Sequence, residues 1–355
     1  MIGQRLKLAR AAAGLSLRDL QGAIDNLVTA QAIGKYERDE DMPRSGVLSA
    51  LASALHVSED YLLSTDEMVL DGVEFRKKDM ASKREEALVE GQTLHLLERY
   101  LAVEDALGLA SVEWDRPREA PYPVASPADA EGAARAIRTH WGLGIDSILN
   151  LSELLEERGI KILSTELADI DGLTACVQRK NGAPIPVIVI KANTWSERKR
   201  FTLAHELGHM VMESSPGVDM EKAANRFAGA FLMPVEALWR EIGKHRTSIS
   251  LGELVHLKDT FGASLQAIVY RCHDLGILTN VAYRRMFQIF NERGWRKPPY
   301  QEPGFRDPAE EQPRRMVRLC YRALTEGAIS EPKAAEILGI SVRSLTKLMD
   351  QPSLT

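Results

Sequence analysis

The stretch FTLAHELGHMVM, residues 201–212, decides how the rest of the chain is read. His205 and His209 stand four apart, and on a helix such a pair projects from one face, with about 5–6 Å between Cβ atoms. Two imidazoles so placed can share one tetrahedral Zn²⁺. Glu206 follows the first histidine directly, so its carboxylate reaches the open side of such an ion and can take a proton from a bound water. Leu203, Ala204, Leu207, Gly208, Met210, Val211 and Met212 carry no charge, which suits a buried helix, and Gly208 leaves room against a neighbouring sheet.

Working outward, DAEGAARAIRTHW and SILNLSELLEERG read as helices, and GIKILSTEL, DGLTACVQRK and PIPVIVIKAN as strands. Asn181-Gly182 between the last two is a hairpin signal. Thr194 or Ser196 is placed to cap the helix that carries the histidines. A metal centre needs a third protein ligand. The helix breaks at Ser214-Ser215-Pro216-Gly217, and DMEKAANRFAGAFLMP follows as a second helix. Glu213, Asp219, Glu221 and Glu236 are the candidates. Glu213 shares the helix of His209 but is displaced along its axis. Glu221 opens the next helix, where an inward carboxylate completes a His₂Glu set with Asn225 as its support. Tyr270, Arg271, His245 and His273 are candidate donors to an oxyanion.

The 355 residues suffice for two or three domains, and the composition, 45% hydrophobic and 27% charged, is that of a globular protein with no membrane span. MIGQRLKLAR has charge without an apolar core, which excludes a secretory signal there. Cys176, Cys272 and Cys320 are widely separated, which points to reduced thiols in a cytoplasm. Net charge is −5, unevenly spread: residues 284–355 hold 13 basic against 9 acidic side chains, whereas the centre is acidic. Bulk charge therefore gives no support to nucleic-acid binding; a basic face would have to supply it.

At the N-terminus, apolar Ile2, Leu6, Ala9 and Ala13 keep a helical period and Gly14 stops it. Ser16 and Asp19 make a capping-box pattern for a second helix. TAQAIGKYERD, the turn DMPRS and two further helical stretches follow, giving five short helices in about 64 residues. LRDLQGAI, TAQAIGKYERDEDMPRS and ALASALHVSEDYLL resemble a helix-turn-helix domain of the XRE/Cro repressor family. That resemblance implies double-stranded operator DNA as a partner and a homodimer as the working form. It makes the helix near Thr29 the recognition helix. Thr29, Ala30, Gln31 and Lys35 then face the major groove, and Arg5, Arg18 and Arg38 contact phosphates. Gly34 inside that helix and the acidic run ERDED depart from the pattern.

RFTLAHELGHMVM followed by EKAANRFAGAFLMP resembles the ImmA/IrrE family of zinc metallopeptidases. The resemblance makes Glu221 the third metal ligand, beside His205 and His209, with Glu206 as the base and one zinc per chain. It implies a gluzincin-like endopeptidase with a narrow protein substrate, since simpler members cleave helix-turn-helix repressors. PIPVIVIKAN resembles the zincin edge strand, on which an extended substrate adds. A second role also fits: an antitoxin or repressor that binds a co-encoded toxin and the shared promoter, with little or no proteolysis.

The expected fold is α+β, predominantly α. Its parts are a helix-turn-helix domain (1–65), a helical connector with a proline-rich link (66–125), a zincin-like domain with a small β-sheet (126–285), a linker (286–312) and a small helical module (313–355). The last has helix-turn-helix spacing and resembles the short C-terminal module of long family members.

Overall fold

A computed structural model describes residues 2–63, 68–74, 83–166, 171–179, 183–297, 302–304 and 308–350. The Asn181-Gly182 turn lies outside them.

The N-terminal domain is built from α1 (Gly3–Ala12), α2 (Leu17–Ala23), α3 (Ala30–Glu37), α4 (Ser45–Ala54) and α5 (Glu59–Leu63). Leu6, Leu20, Ile33, Leu51 and Leu62 form its sealed core. Ser16 and Asp19 cap α2 reciprocally, and the Thr29 hydroxyl accepts from the Ala32 amide at the start of α3. Gly34 costs about 1 kcal/mol of helix propensity where α3 crosses α2; a Cβ there would lie 3.6 Å from Leu17 Cδ1.

The connector then forms β1 (Met68–Glu74) and the long helix α6 (Lys83–Ala106). The central elements are β2 (Tyr122–Val124), α7 (Ala130–His140), α8 (Leu151–Glu157), β3 (Lys161–Thr165), β4 (Gly172–Arg179), β5 (Ile185–Lys191), α9 (Ser196–Val211), β6 (Met212–Ser214) and α10 (Met220–Leu232). α11 (Val235–Ile242), α12 (Leu251–Phe261), α13 (Leu265–Asp274) and α14 (Asn280–Glu292) complete the helical side. The C-terminal module is α15 (Arg315–Thr325), α16 (Glu331–Leu338) and α17 (Val342–Asp350).

A four-stranded sheet in the order β1-β4-β5-β3 divides the two cores. Ile162, Ile188 and Ile190 join the cluster that contains α9 and α10. Leu163, Leu173, Ala175, Val177, Val187 and Val189 join the other, with Leu97, Leu101 and Val103 of α6 and Cys320, Ala335 and Ile337 of the C-terminal module. Burial on both faces explains why β5 is an unbroken apolar run.

Several expectations are corrected. β5 is not an edge strand: it pairs antiparallel with β4 and parallel with β3. The connector is not solely helical, because β1 pairs antiparallel with β4. The proline-rich link contributes β2, which runs parallel to β6, and the histidine helix ends at Val211, not at Glu213 as expected. Neither Thr194 nor Ser196 caps α9; Trp195 holds the N-cap position. The segment expected as linker from 286 begins inside α14, whose Met286 and Phe290 are buried with Trp295 in the main core.

Downstream, that same segment is fastened to the core. Buried Glu302 accepts from Lys258 and from the Leu265 amide. Buried Glu311 accepts from the Ser152 amide and pairs with Arg200 at 2.8 Å.

Candidate metal centre

The site sits where α9 crosses α10. Gly208 sets the crossing: a Cβ on it would lie 3.1 Å from Phe227 Cδ1 and 3.3 Å from Met212 Cε. The room that Gly208 leaves is thus against α10 and the start of β6, not against the four-stranded sheet. Asp219 caps α10 by accepting from the Lys222 amide, which fixes Glu221 in the first turn. Arg226 anchors α10 sideways to Glu131 of α7, at 2.5 Å, and to Asp274 of α13.

With the helices so held, His205 Nε2 and His209 Nε2 are 2.9 Å apart. Glu221 brings one carboxylate oxygen to 3.2 Å from His209 Nε2 and the other to 3.5 Å from His205 Nε2. Three donor atoms, one from each residue, lie within 4.8 Å of one another. Donors around a tetrahedral zinc at ligand distances of about 2.0–2.2 Å stand roughly 3.3–3.6 Å apart, so the set fits such an ion. His205 is fully buried, whereas the Glu221 side chain is 54% exposed, so the centre opens on the glutamate side.

His205 Nδ1 meets Asn225 Oδ1 at 2.9 Å. An amide oxygen only accepts, so Nδ1 carries the proton and Nε2 keeps its lone pair for a metal. Asn225 was expected to support Glu221; it supports His205. Glu206 is buried on α9, and the start of β4 closes on it: a Cβ on Gly172 would lie 3.0 Å from Glu206 Oε1. No pattern in the sequence marks Gly172, because the contact is set by tertiary packing alone.

The other third-ligand candidates are placed elsewhere. Glu213 is exposed on β6, Asp219 serves as the cap, and Glu236 faces Arg135 at 3.5 Å. Among the oxyanion candidates, Arg271 pairs with Glu131 and donates to the Met233 carbonyl, His273 meets Asn280 Oδ1 at 2.7 Å, and Tyr270 and His245 are exposed.

On the N-terminal domain, Arg18, Thr29, Gln31, Lys35 and Arg38 are all exposed. Arg38 makes a two-pronged pair with Glu40 at 2.6 and 2.8 Å. Arg5 is different: it is buried against Glu98 of α6 at 2.9 Å and lies over the Tyr61 ring, so it is not placed to meet a phosphate.

Fold and site together define a helix-turn-helix domain joined to a metallopeptidase-type domain. Comparison with known families agrees. Residues 155–273 match the family described as the IrrE N-terminal-like domain, a zinc metallopeptidase family, and residues 6–62 match the family described as helix-turn-helix. The chain thus carries an IrrE/ImmA-like peptidase domain behind an XRE-type domain. No curated protein matches it.

Proposed function

We propose that this chain is a DNA-binding regulator with zinc-dependent endopeptidase activity toward a specific protein, working in the cytoplasm as a homodimer on operator DNA. The observation that carries the peptidase reading is the convergence of His205, His209 and Glu221, from two helices, beside the buried carboxylate of Glu206. His205, His209 and Glu221 would hold one zinc ion. When bound, zinc polarises a scissile carbonyl and lowers the pKa of a water. Glu206 takes the proton of the attacking water and passes it to the leaving amide nitrogen. Asn225 keeps His205 in the ligating tautomer. A purely structural zinc would have four protein ligands and no use for a base beside an open position. Among the described residues the cluster has three.

Glu206→Gln removes the base and keeps the ligands. The wild type and this variant, purified with the products of neighbouring genes, should each hold one zinc, with cleavage only in the wild type. Zinc in both, no cleavage, and a stable complex with a neighbouring product would reject proteolysis in favour of the antitoxin role.

A further inference from the structure

We propose that β1 is a resident occupant of the strand edge on which the peptidase substrate docks, so that this edge is blocked until β1 leaves. The inference rests on the peptidase reading above. β4 is the strand whose first residue touches the base: a Cβ on Gly172 would lie 3.0 Å from Glu206 Oε1. One edge of β4 is filled by β5, and β5 is filled in turn by β3. A peptide that pairs with β4 itself has only its remaining edge to add to, through main-chain hydrogen bonds.

β1 lies on that edge, antiparallel, from Met68 opposite Arg179 to Glu74 opposite Thr174. A chain laid this way runs, from its N-terminal to its C-terminal end, toward Gly172 and Glu206. A substrate laid the same way would bring a peptide bond toward the base. The fit of β1 is also poor. Asp71 and Gly72 are weak strand formers, and the register shifts between Asp71 and Glu74, at the end nearest the metal centre. A bulge locally interrupts the ladder. β1 therefore has the position and direction of a substrate with a pairing weak enough to exchange.

The test uses the full-length zinc-loaded protein and two proline variants, Val69→Pro and Leu70→Pro. Successive amides of a strand point to opposite sides, so one variant deletes a donor to β4 and the other an outward one. A fluorescein-labelled peptide of sequence MVLDGVE is titrated by anisotropy, and amide exchange is followed across residues 174–179. We expect one proline variant to bind the peptide at least tenfold more tightly than the wild type and a scrambled peptide not at all. In that variant the β4 amides should exchange faster, regain protection with the peptide, and leave the Tm within about 3 °C, a shift equivalent to about 1 kcal/mol. Equal peptide binding by wild type and both variants, binding by none, or global unfolding of either variant would overturn the proposal and make β1 a structural strand. None of these readouts needs cleavage, so loss of the peptidase reading through Glu206→Gln would be seen separately.

Discussion

Nδ1 of His205 and Oδ1 of Asn225 lie 2.9 Å apart across the contact between α9 and α10. In the proposed zinc site, the contact makes metal binding depend on a residue outside the ligand set. Asn225→Ala should leave the fold intact and weaken zinc binding by roughly 10–100-fold, the usual cost of losing such support. Asn225→Asp, which still accepts from Nδ1–H, should recover most of the affinity. Competition with a chromophoric chelator measures both, and an unchanged zinc affinity in Asn225→Ala would remove the residue from the site.

Gly208 and Phe227 govern the spacing of the same two helices. A Cβ at Gly208 would press on the Phe227 ring at 3.1 Å, and a branched side chain would wedge α10 outward. Gly208→Val should cost about 1–3 kcal/mol by overpacking and draw Glu221 away from the histidines. Gly208→Ala should cost less. Thermal melts with and without zinc separate the two effects: the stabilisation that zinc adds should shrink more than the melting temperature of the metal-free form.

The cluster of His205, His209 and Glu221 was legible because its members fall within 17 residues, on two helices whose pattern is local. What holds those helices was not legible. The run SERKR at the start of α9 reads as solvent-facing, yet Glu197, Lys199 and Arg200 are buried. Glu197 meets Lys258 at 3.0 Å, Lys258 meets Glu302 at 2.7 Å and Arg200 meets Glu311 at 2.8 Å, both glutamates lying in the segment expected as the linker of 286–312. Charge pairing at that separation leaves no periodic trace. The edge assignment of β5 failed for a related reason: β3 pairs with it in parallel, although β4 separates the two in sequence, and such a pairing leaves no local signal.

Buried Glu156 and half-buried His95 give opposite pH slopes. Burial pushes the Glu156 carboxyl up to about 7 from 4.5, against hydrogen bonds from Tyr100 and the Arg315 amide. The folded state then keeps a proton that the unfolded chain has lost. The stability from Glu156 is thus full below about 4.5 and is lost as pH rises toward 7. Burial lowers His95 to about 4 from 6.5 where its ring meets Tyr61 edge-on. Its contribution is present above 6.5 and is lost as pH falls toward 4. The two slopes oppose each other in the wild type, so Glu156→Gln should make Tm rise more steeply with pH between 4.5 and 7, and His95→Gln should make it fall with pH over the same range. Differential scanning calorimetry across that range reads both, and parallel slopes in the two variants would contradict the assignment.

Arg5 and Arg18 lie in the same small domain but answer to different forces. Arg18 is exposed on α2, so if it meets a phosphate, Arg18→Ala should weaken operator binding at every sequence and lower the salt slope by about 1. Arg5 is sealed between the domain and α6, with side-chain exposures of 8% for Arg5 and 9% for Glu98. Around it the docking is tight: a Cβ on Gly91 would lie 2.8 Å from the Ala12 amide nitrogen, and Gln92 donates to the Ala12 carbonyl while accepting from Thr165 of β3. Arg5→Ala strands the Glu98 carboxylate in that interface and should cost about 3–5 kcal/mol, most of which the double variant Arg5→Met, Glu98→Leu should restore. The salt slope of DNA binding should stay unchanged in the double variant. A slope reduced by about 1 there would return Arg5 to the phosphate backbone, because loss of a buried pair moves stability without releasing a counterion from DNA.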